Sequence, residues 1–341
     1  MTGTLRVGVI GTGEMGSAHV RMLSSIISRA SVGAVHDADR SRARSAAAPW
    51  PDIEVHEDPK SLINDSAIDC VLIATPDDMH EEFVKACIEA NKPVLCEKPL
   101  APTAAACKRI VDAESAAGRR LVTVGFMRRY DTALLGLKRR VDSGNLGAVL
   151  MIHCAHRNSK AHVQSADSLI TGSAIHEFDM IRWLAGDELA WASVHTPRRS
   201  SRVEGGAQDP LFLLLESTDG ILADVEVFLN AGYGYDVRCE VVGEVGTALA
   251  TARQPTDLRR GGAIISALPM DWIGRFGDAY RAQLQAWVDG VLRGEQCGAN
   301  AWDGYAASAV ADAAIASLAS EKRCPVSLRR RPSLYPGPEA R

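Results

Sequence analysis

Arg6-Val7-Gly8-Val9-Ile10-Gly11-Thr12-Gly13-Glu14-Met15-Gly16 sets the frame for everything around it. An apolar run closes at Gly11, three glycines follow in the spacing G-x-G-x-x-G, and Ser17-Ala18-His19-Val20-Arg21-Met22-Leu23 continues with helical periodicity. Strand, tight turn and helix in that order suit a dinucleotide. Gly11 permits the sharp turn, Gly13 lets a pyrophosphate approach the backbone, and Gly16 lets helix and strand pack closely. Amides at the helix start, around Glu14 and Met15, then face the phosphates. Three glycines alone also fit an ordinary turn with a close helix contact. Here strand-like Ser31-Val32-Gly33-Ala34-Val35-His36 follows one helix later and ends on Asp37. That is about twenty residues past the last glycine, where the fingerprint places a carboxylate for a ribose diol. Asp37 would repel a 2′-phosphate, which predicts NAD in preference to NADP, while Arg40 nearby offers a cation for that phosphate.

The alternation continues beyond Asp37. Arg40 to Ala48 reads as a short helix, Ile53-Glu54-Val55 as a strand and Pro59 to Asn64 as a helix. Cys70 to Ala74 and Pro93 to Cys96 are continuous apolar runs, as parallel strands buried on both faces require. Helices follow through Ala90 and over Thr103 to Ala117, and Leu121 to Gly125 is the last strand. Residues 1–126 are thus predicted to form an α/β Rossmann domain, a doubly wound parallel sheet with ligands at the carboxyl ends of its strands. Thr75, Pro76 and His80 follow one such end, and Glu97, Lys98 and Pro99 another. Thr75, Pro76, His80, Glu97 and Lys98 therefore join Gly11, Gly13, Glu14, Met15, Gly16, Asp37 and Arg40 as candidate cofactor contacts.

From Val149 the pattern changes. Val149 to Ala155, Trp191 to His195, Leu211 to Glu216, Leu222 to Leu229, Val237 to Val242 and Thr247 to Ala252 read as extended. Only one helix clearly interrupts them, Gly172 to Leu184, and Asp278 to Arg293 and Trp302 to Ala319 close the chain as helices. Strands without crossover helices predict an α+β domain with a large open, mostly antiparallel sheet, over residues 127–341. The uncovered face of such a sheet calls for a partner, so a homodimer or homotetramer is expected.

The 341 residues, 46% of them apolar, are ample for two cores. The formal net charge is −4, and no basic stripe alternates with aromatics, which argues against nucleic acid as a partner. Eight cysteines stand singly, without C-x-x-C or zinc-like histidine spacing, as reduced core thiols do; no metal is expected. The sequence enters its first strand without an apolar signal core, and no apolar run reaches membrane-spanning length. A cytoplasmic protein that binds no membrane is the expectation.

Lys98 follows a buried strand and precedes Pro99, a position from which its ammonium can bind a substrate hydroxyl and stabilise the oxyanion that appears as hydride leaves. A turn lysine paired with Glu97 is the plainer interpretation. His176 lies on the predicted helix with Ile175, Phe178, Met180, Ile181 and Leu184 forming the apolar stripe, and His176, Asp179 and Arg182 off it. An imidazole suits removal of an alcohol proton, although a lone helix histidine is more often structural. Arg128 and Tyr130, His156 and Asn158, and Tyr233 and Tyr235 are further polar candidates. Of these, Arg128, His156, Asn158 and Tyr235 are the groups assigned to a polyol substrate.

Gly11 to Gly16, Ala74-Thr75-Pro76 with His80, Glu97-Lys98-Pro99 and His176-Glu177-Phe178-Asp179 together resemble the Gfo/Idh/MocA oxidoreductases. Gly125 to Asp131, His156-Arg157-Asn158, Gly232 to Asp236 and Ala301 to Tyr305 resemble the bacterial inositol 2-dehydrogenases within them, and the likeness runs from Arg6 to about Leu328. It implies a commonly tetrameric enzyme that oxidises one ring hydroxyl of a cyclitol with NAD, its lysine mapping onto Lys98 and its catalytic histidine onto His176. Inositol dehydrogenases carry an aspartate four residues before that histidine, and here Gly172 stands there. Its loss removes the group that orients and charges the imidazole. The substitution points to a slower enzyme, to a substitute carboxylate such as Asp167, Glu177 or Asp179, or to a substrate other than myo-inositol. Candidates are scyllo-inositol and an aminocyclitol or keto-cyclitol of antibiotic biosynthesis. Two further alternatives are an enzyme that retains its NAD, of glycosidase or epimerase type, and a non-catalytic binder of NAD or cyclitol.

Overall fold

In the computed structural model, which describes residues 3–161, 163, 165–203, 207–251 and 257–337, β1 (Leu5–Ile10) lies inside a six-stranded parallel sheet. Its companions are β2 (Ala30–His36), β3 (Glu54–Val55), β4 (Cys70–Ile73), β5 (Val94–Cys96) and β6 (Val122–Val124), in the order β3-β2-β1-β4-β5-β6. All five pairings are parallel. The order reverses between β1 and β4, the switch point where such sheets hold ligands. Ile10 pairs with Ile73 there, so the turns that follow leave the sheet side by side. Gly11 carries φ +89°, and a Cβ on it would lie 2.5 Å from the Ala74 carbonyl oxygen. Only glycine serves at that crossing.

Helices α1 (Glu14–Ser25), α2 (Arg40–Ala47), α3 (Pro59–Asn64), α4 (His80–Glu89) and α5 (Ala104–Ala117) connect these strands. Asp39, Asp58 and Thr103 cap α2, α3 and α5 through their side chains, the residue types that satisfy free first-turn amides. Leu284, Trp287 and Val288, from a helix late in the chain, join Val7, Val9, Val20, Val35 and Leu72 in one buried core. Burying each such side chain contributes about 1.5–3 kcal/mol, which draws this late segment onto the sheet. The first compact unit accordingly comprises residues up to Phe126 together with Tyr280–Ser308 and Arg330–Gly337.

The second unit, Met127–Ala279 with Ala309–Arg329, is built on a seven-stranded sheet. After α6 (Thr132–Asp142) come β7 (Val149–Arg157), α7 (Ala166–Leu169), a π-helical turn (Ile170–Ala174) and α8 (Ile175–Ala185). The strands β8 (Leu189–His195), β9 (Leu211–Ser217), β10 (Leu222–Phe228), β11 (Asp236–Gly243) and β12 (Thr247–Ala250) follow. A hairpin of β13 (Asp257–Arg260) and β14 (Ala263–Ser266) precedes α9 (Trp272–Arg293), α10 (Ala301–Ser320) and β15 (Cys324–Pro325). The sheet order is β12-β11-β7-β10-β9-β8-β15, antiparallel throughout except for the parallel pair β7 and β10.

The predicted fold class holds: a parallel Rossmann sheet and a mostly antiparallel one. Three details differ. The helix expected over Gly172 to Leu184 is α8, entered through a π-helical turn that joins it to α7, and its charged positions are as buried as its apolar stripe. Helix α6 and the β13–β14 hairpin were not anticipated; the strands of the latter are exposed and turn on Gly261 and Gly262, both at positive φ. The last predicted strand stops at Ala250, and Ala252 lies outside the described residues. Cys70, Cys87, Cys96, Cys107, Cys154 and Cys239 are buried free thiols, with Cys297 and Cys324 half-buried. Among the described residues no helix is long and apolar enough to cross a membrane.

Candidate active site

Helix α1 begins at Gly13 with no side-chain cap, unlike α2, α3 and α5. A Cβ on Gly13 would meet nothing within 4 Å, whereas one on Gly16 would lie 1.9 Å from the Gly11 carbonyl oxygen. Gly16 thus serves close packing, and Gly13 leaves the mouth of the helix open to an anion. Glu14 and Met15 form its first turn. At the end of β2, Thr12 donates to Asp37 Oδ2 from its amide at 2.7 Å and its hydroxyl at 3.0 Å, and the Asp39 amide donates to Oδ1 at 2.8 Å. A carboxylate fixed in this way keeps one Oδ1 lone pair for a ribose hydroxyl. Arg40 pairs instead with Glu57 on the surface. Beyond β4, the Thr75 hydroxyl oxygen is buried with no hydrogen-bond partner among the described residues. An open helix mouth, a fixed carboxylate and an orphaned hydroxyl fit NAD.

The turn after β5 carries Glu97, Lys98 and Pro99. His19 Nε2 lies 2.7 Å from Glu97 Oε1, and the Lys98 amide donates to Oε2 at 3.3 Å. Glu97 is buried, which opposes its charge, yet the hydrogen bond from His19 and the nearby Lys98 hold its carboxyl below the ordinary range. His80, at the start of α4, places Nδ1 2.8 Å from the Pro99 carbonyl oxygen and Nε2 3.0 Å from that of Thr75. Lys98 itself is half-buried. Sequence reasoning missed His19, although its place three residues after Gly16, among the buried positions of α1, was a signal available to it.

In the second unit His176 is 6% exposed on α8, and the other charged side chains of that helix pair with residues outside it. Glu177 pairs with Arg128, and His156 Nδ1 lies 3.1 Å from both Glu177 Oε2 and Arg128 Nη2. Asp179 accepts from Arg129 at 2.5 and 2.9 Å, and Arg182 donates to Glu188 at 2.6 and 2.9 Å. Burial works against ionisation of Glu177, but the Arg128 guanidinium and His156 outweigh it and hold the carboxyl at about 2. Arg128 also lies 5.4 Å over the Phe276 ring, whose edge meets Tyr235 at 6.2 Å; burial raises the Tyr235 phenol.

The structure thus brings Arg128, His156 and Tyr235 together around Glu177. Asn158 belongs to the adjoining turn: its amide donates to Phe228 O and its carbonyl accepts from Ala231, both at 3.0 Å, and its side-chain oxygen is buried without a partner among the described residues. Tyr233 is exposed and donates to Asp236 at 2.7 Å, and Tyr130 is half-buried. Gly172 lies in the π-helical turn, and a Cβ there would meet nothing within 4 Å. Of the carboxylates offered in place of the family aspartate, Glu177 and Asp179 are bound to arginines and Asp167 is exposed. Among the described residues Glu54, His56 and Asp65 approach one another closely enough for a metal, and His56 Nε2 at 3.6 and 3.7 Å from the two carboxylates also makes an ion-pair cluster.

A glycine-turned switch point, an acid closing β2 and a lysine beyond β5 define an NAD-binding oxidoreductase, and the chain belongs to the Gfo/Idh/MocA oxidoreductase family. Residues 5–126 match its NAD-binding Rossmann fold and residues 138–328 its C-terminal alpha/beta domain. Within that family the chain is 50% identical to inositol 2-dehydrogenase 1 of Saccharopolyspora erythraea, over 97% of this chain and 99% of that one. It is 44% identical to inositol 2-dehydrogenase of Klebsiella pneumoniae over the same shares. A myo-inositol dehydrogenase from Lactobacillus casei, solved with NAD(H) and myo-inositol, superimposes with a TM-score of 0.94 at 36% identity, covering 98% of this chain and all of the other.

Proposed function

We propose that the chain oxidises one ring hydroxyl of an inositol-type cyclitol, with NAD as the hydride acceptor. Near-full-length identity of about half to inositol 2-dehydrogenases, with Lys98 and His176 both present, carries this reading. Residues 1–126 hold the cofactor, and the part of residues 127–341 outside the first unit holds the substrate and mediates assembly. Gly11, Gly13, Glu14, Met15 and Gly16 receive the pyrophosphate, Asp37 the ribose diol, and Thr75, Pro76, His80, Glu97 and Lys98 border the nicotinamide. Arg40, engaged by Glu57, favours no 2′-phosphate.

When bound, NAD supplies an electrophilic ring carbon that takes hydride from the carbinol. The protein's part is the proton. Lys98 donates a hydrogen bond to the substrate oxygen and stabilises its developing negative charge, and a ring nitrogen of His176 accepts the hydroxyl proton. Arg128, His156, Asn158 and Tyr235 bind the remaining hydroxyls. Gly172 favours a second reading in which the ring carries an amine, because a substrate cation changes what the pocket must supply. A half-exposed sheet face bearing Trp191, Phe212, Leu214 and Leu222 supports self-association as a dimer or tetramer, and we take the enzyme to work in the cytoplasm.

The test is NADH formation with myo-inositol, scyllo-inositol and aminocyclitols, and NADH oxidation with the matching ketones. Turnover of at least one is expected. Converted substrate without net NADH would place the chain among NAD-retaining enzymes, and binding of both ligands without conversion would make it a binder.

A further inference from the structure

A lysine acts as an oriented donor only if the loop beneath it is held, since its own side chain is free to rotate. The Lys98 loop is held on both sides by histidines that no solvent reaches, His19 and His80, each 0% exposed. On one side His19 binds Glu97 Oε1 at 2.7 Å, and the other oxygen of that carboxylate accepts the Lys98 amide at 3.3 Å. Gly125 makes the space, because a Cβ there would lie 2.7 Å from Glu97 Oε2. Tyr280 packs against the His19 ring, with centroids 5.9 Å apart. On the other side His80 spans two loops, from Pro99 O to Thr75 O, at 2.8 and 3.0 Å. A carbonyl oxygen only accepts, so the ring is the donor in either contact. The ring lies between the lysine loop and the turn after β4, within hydrogen-bond distance of both.

We propose that His19 and His80 are positioning residues for Lys98, His19 acting through the Glu97 carboxylate and His80 through the carbonyl that follows the lysine. Neither touches the reacting atoms. This rests on the reading of Lys98 as the group that stabilises the substrate oxyanion.

The test uses His19→Ala, His80→Ala and His80→Gln, each in the full chain and again with Lys98→Met. With Lys98 present, each alanine lowers kcat by about 10²-fold, the cost of misplacing a catalytic group. The KM for cyclitol stays unchanged, and so does the Kd for NAD in His19→Ala, read by fluorescence, because His19 lies behind Glu97 and outside the cofactor contacts. His80→Gln, whose amide still donates to a carbonyl, recovers part of the loss. With Lys98→Met the histidine changes cost nothing further, as expected of residues acting through one group. An equal loss in both backgrounds, or a fall in NAD affinity parallel to kcat in His19→Ala, overturns the proposal. A second readout needs no turnover: the rate at which an amine-reactive reagent labels Lys98, measured by mass spectrometry against exposed Lys108. It rises several-fold in the variants while Lys108 stays constant; an unchanged rate for Lys98 also overturns the proposal. If the wild-type chain converts no cyclitol, the substrate reading fails, and the labelling rates still decide whether the histidines hold the lysine. His80→Gln and a melting curve for each variant separate loss of position from loss of fold.

Discussion

The turn at Lys98 and the helix at His176 bear the two groups assigned to proton handling, and their surroundings are built differently. Around Lys98 the neighbouring charge, Glu97, lies beside the lysine and is itself fixed by His19. On the helix of His176 the other charged side chains pair with residues outside it: Glu177 with Arg128, Asp179 with Arg129, Arg182 with Glu188. One turn before the histidine the chain has only Gly172. The position from which, by the family resemblance, a carboxylate would hold the tautomer of the histidine and stabilise its cation is the one that Gly172 occupies. On the proposed mechanism, the larger share of charge stabilisation is assigned to Lys98.

Unequal consequences should follow when either group is removed. Lys98→Ala is expected to lower kcat by about 10³-fold and His176→Ala by about 10²-fold, within the range general acid–base groups supply. Steady-state kinetics with saturating NAD measures both. Equal losses, or a larger one at His176, would break the asymmetry.

Restoring the carboxylate attacks the comparison from the other side. The space at Gly172 is open, so Gly172→Asp is accommodated without a clash. It should raise kcat on myo-inositol about tenfold, a modest share of what such a partner is worth in a triad. The gain should vanish when His176→Ala is added. No gain with myo-inositol, together with loss of activity on an aminocyclitol, would favour the amine-bearing substrate.

The two regions were also unequally legible. Gly11, Gly13, Gly16 and Asp37 could be read from spacing, because a parallel strand, a tight turn and a helix impose local rules on adjacent residues. Lys98 and His80 were legible as residues at strand ends, but not their connection, since His80 meets Pro99 only after α4 and β5 are laid beside one another. On α8 periodicity misled: His176, Asp179 and Arg182 read as lying off the apolar stripe, yet all three are buried, Asp179 and Arg182 with Arg129 and Glu188 neutralising them. Period-3.6 patterns report which residues are apolar and carry no information on which charges will find partners. The π-helical turn before α8 was equally invisible, for nothing in Ile170-Thr171-Gly172-Ser173-Ala174 marks one extra residue in a turn.

The smallest effect tests whether the charges on α8 are structural. Glu177 is buried, and despite that burial Arg128 and His156 lower its carboxyl from 4.5 to about 2. A folded-state value below the free one means that the native chain binds fewer protons. The stability contributed by this group is therefore complete above about 4.5 and is lost as pH falls from there towards 2. Glu177→Gln removes the titration and leaves Arg128 buried against a neutral amide, at a cost on the order of 3 kcal/mol near neutrality. Its melting temperature should be lower than that of the wild type at pH 7, and the two curves should converge as pH is taken from 5 to 3. Because Glu177 also holds Arg128 and His156, the variant should raise the KM for cyclitol more than it lowers kcat, the reverse of the pattern expected for His19 and His80. Parallel melting curves across that pH range would mean that the Glu177 charge is not what holds α8 in place.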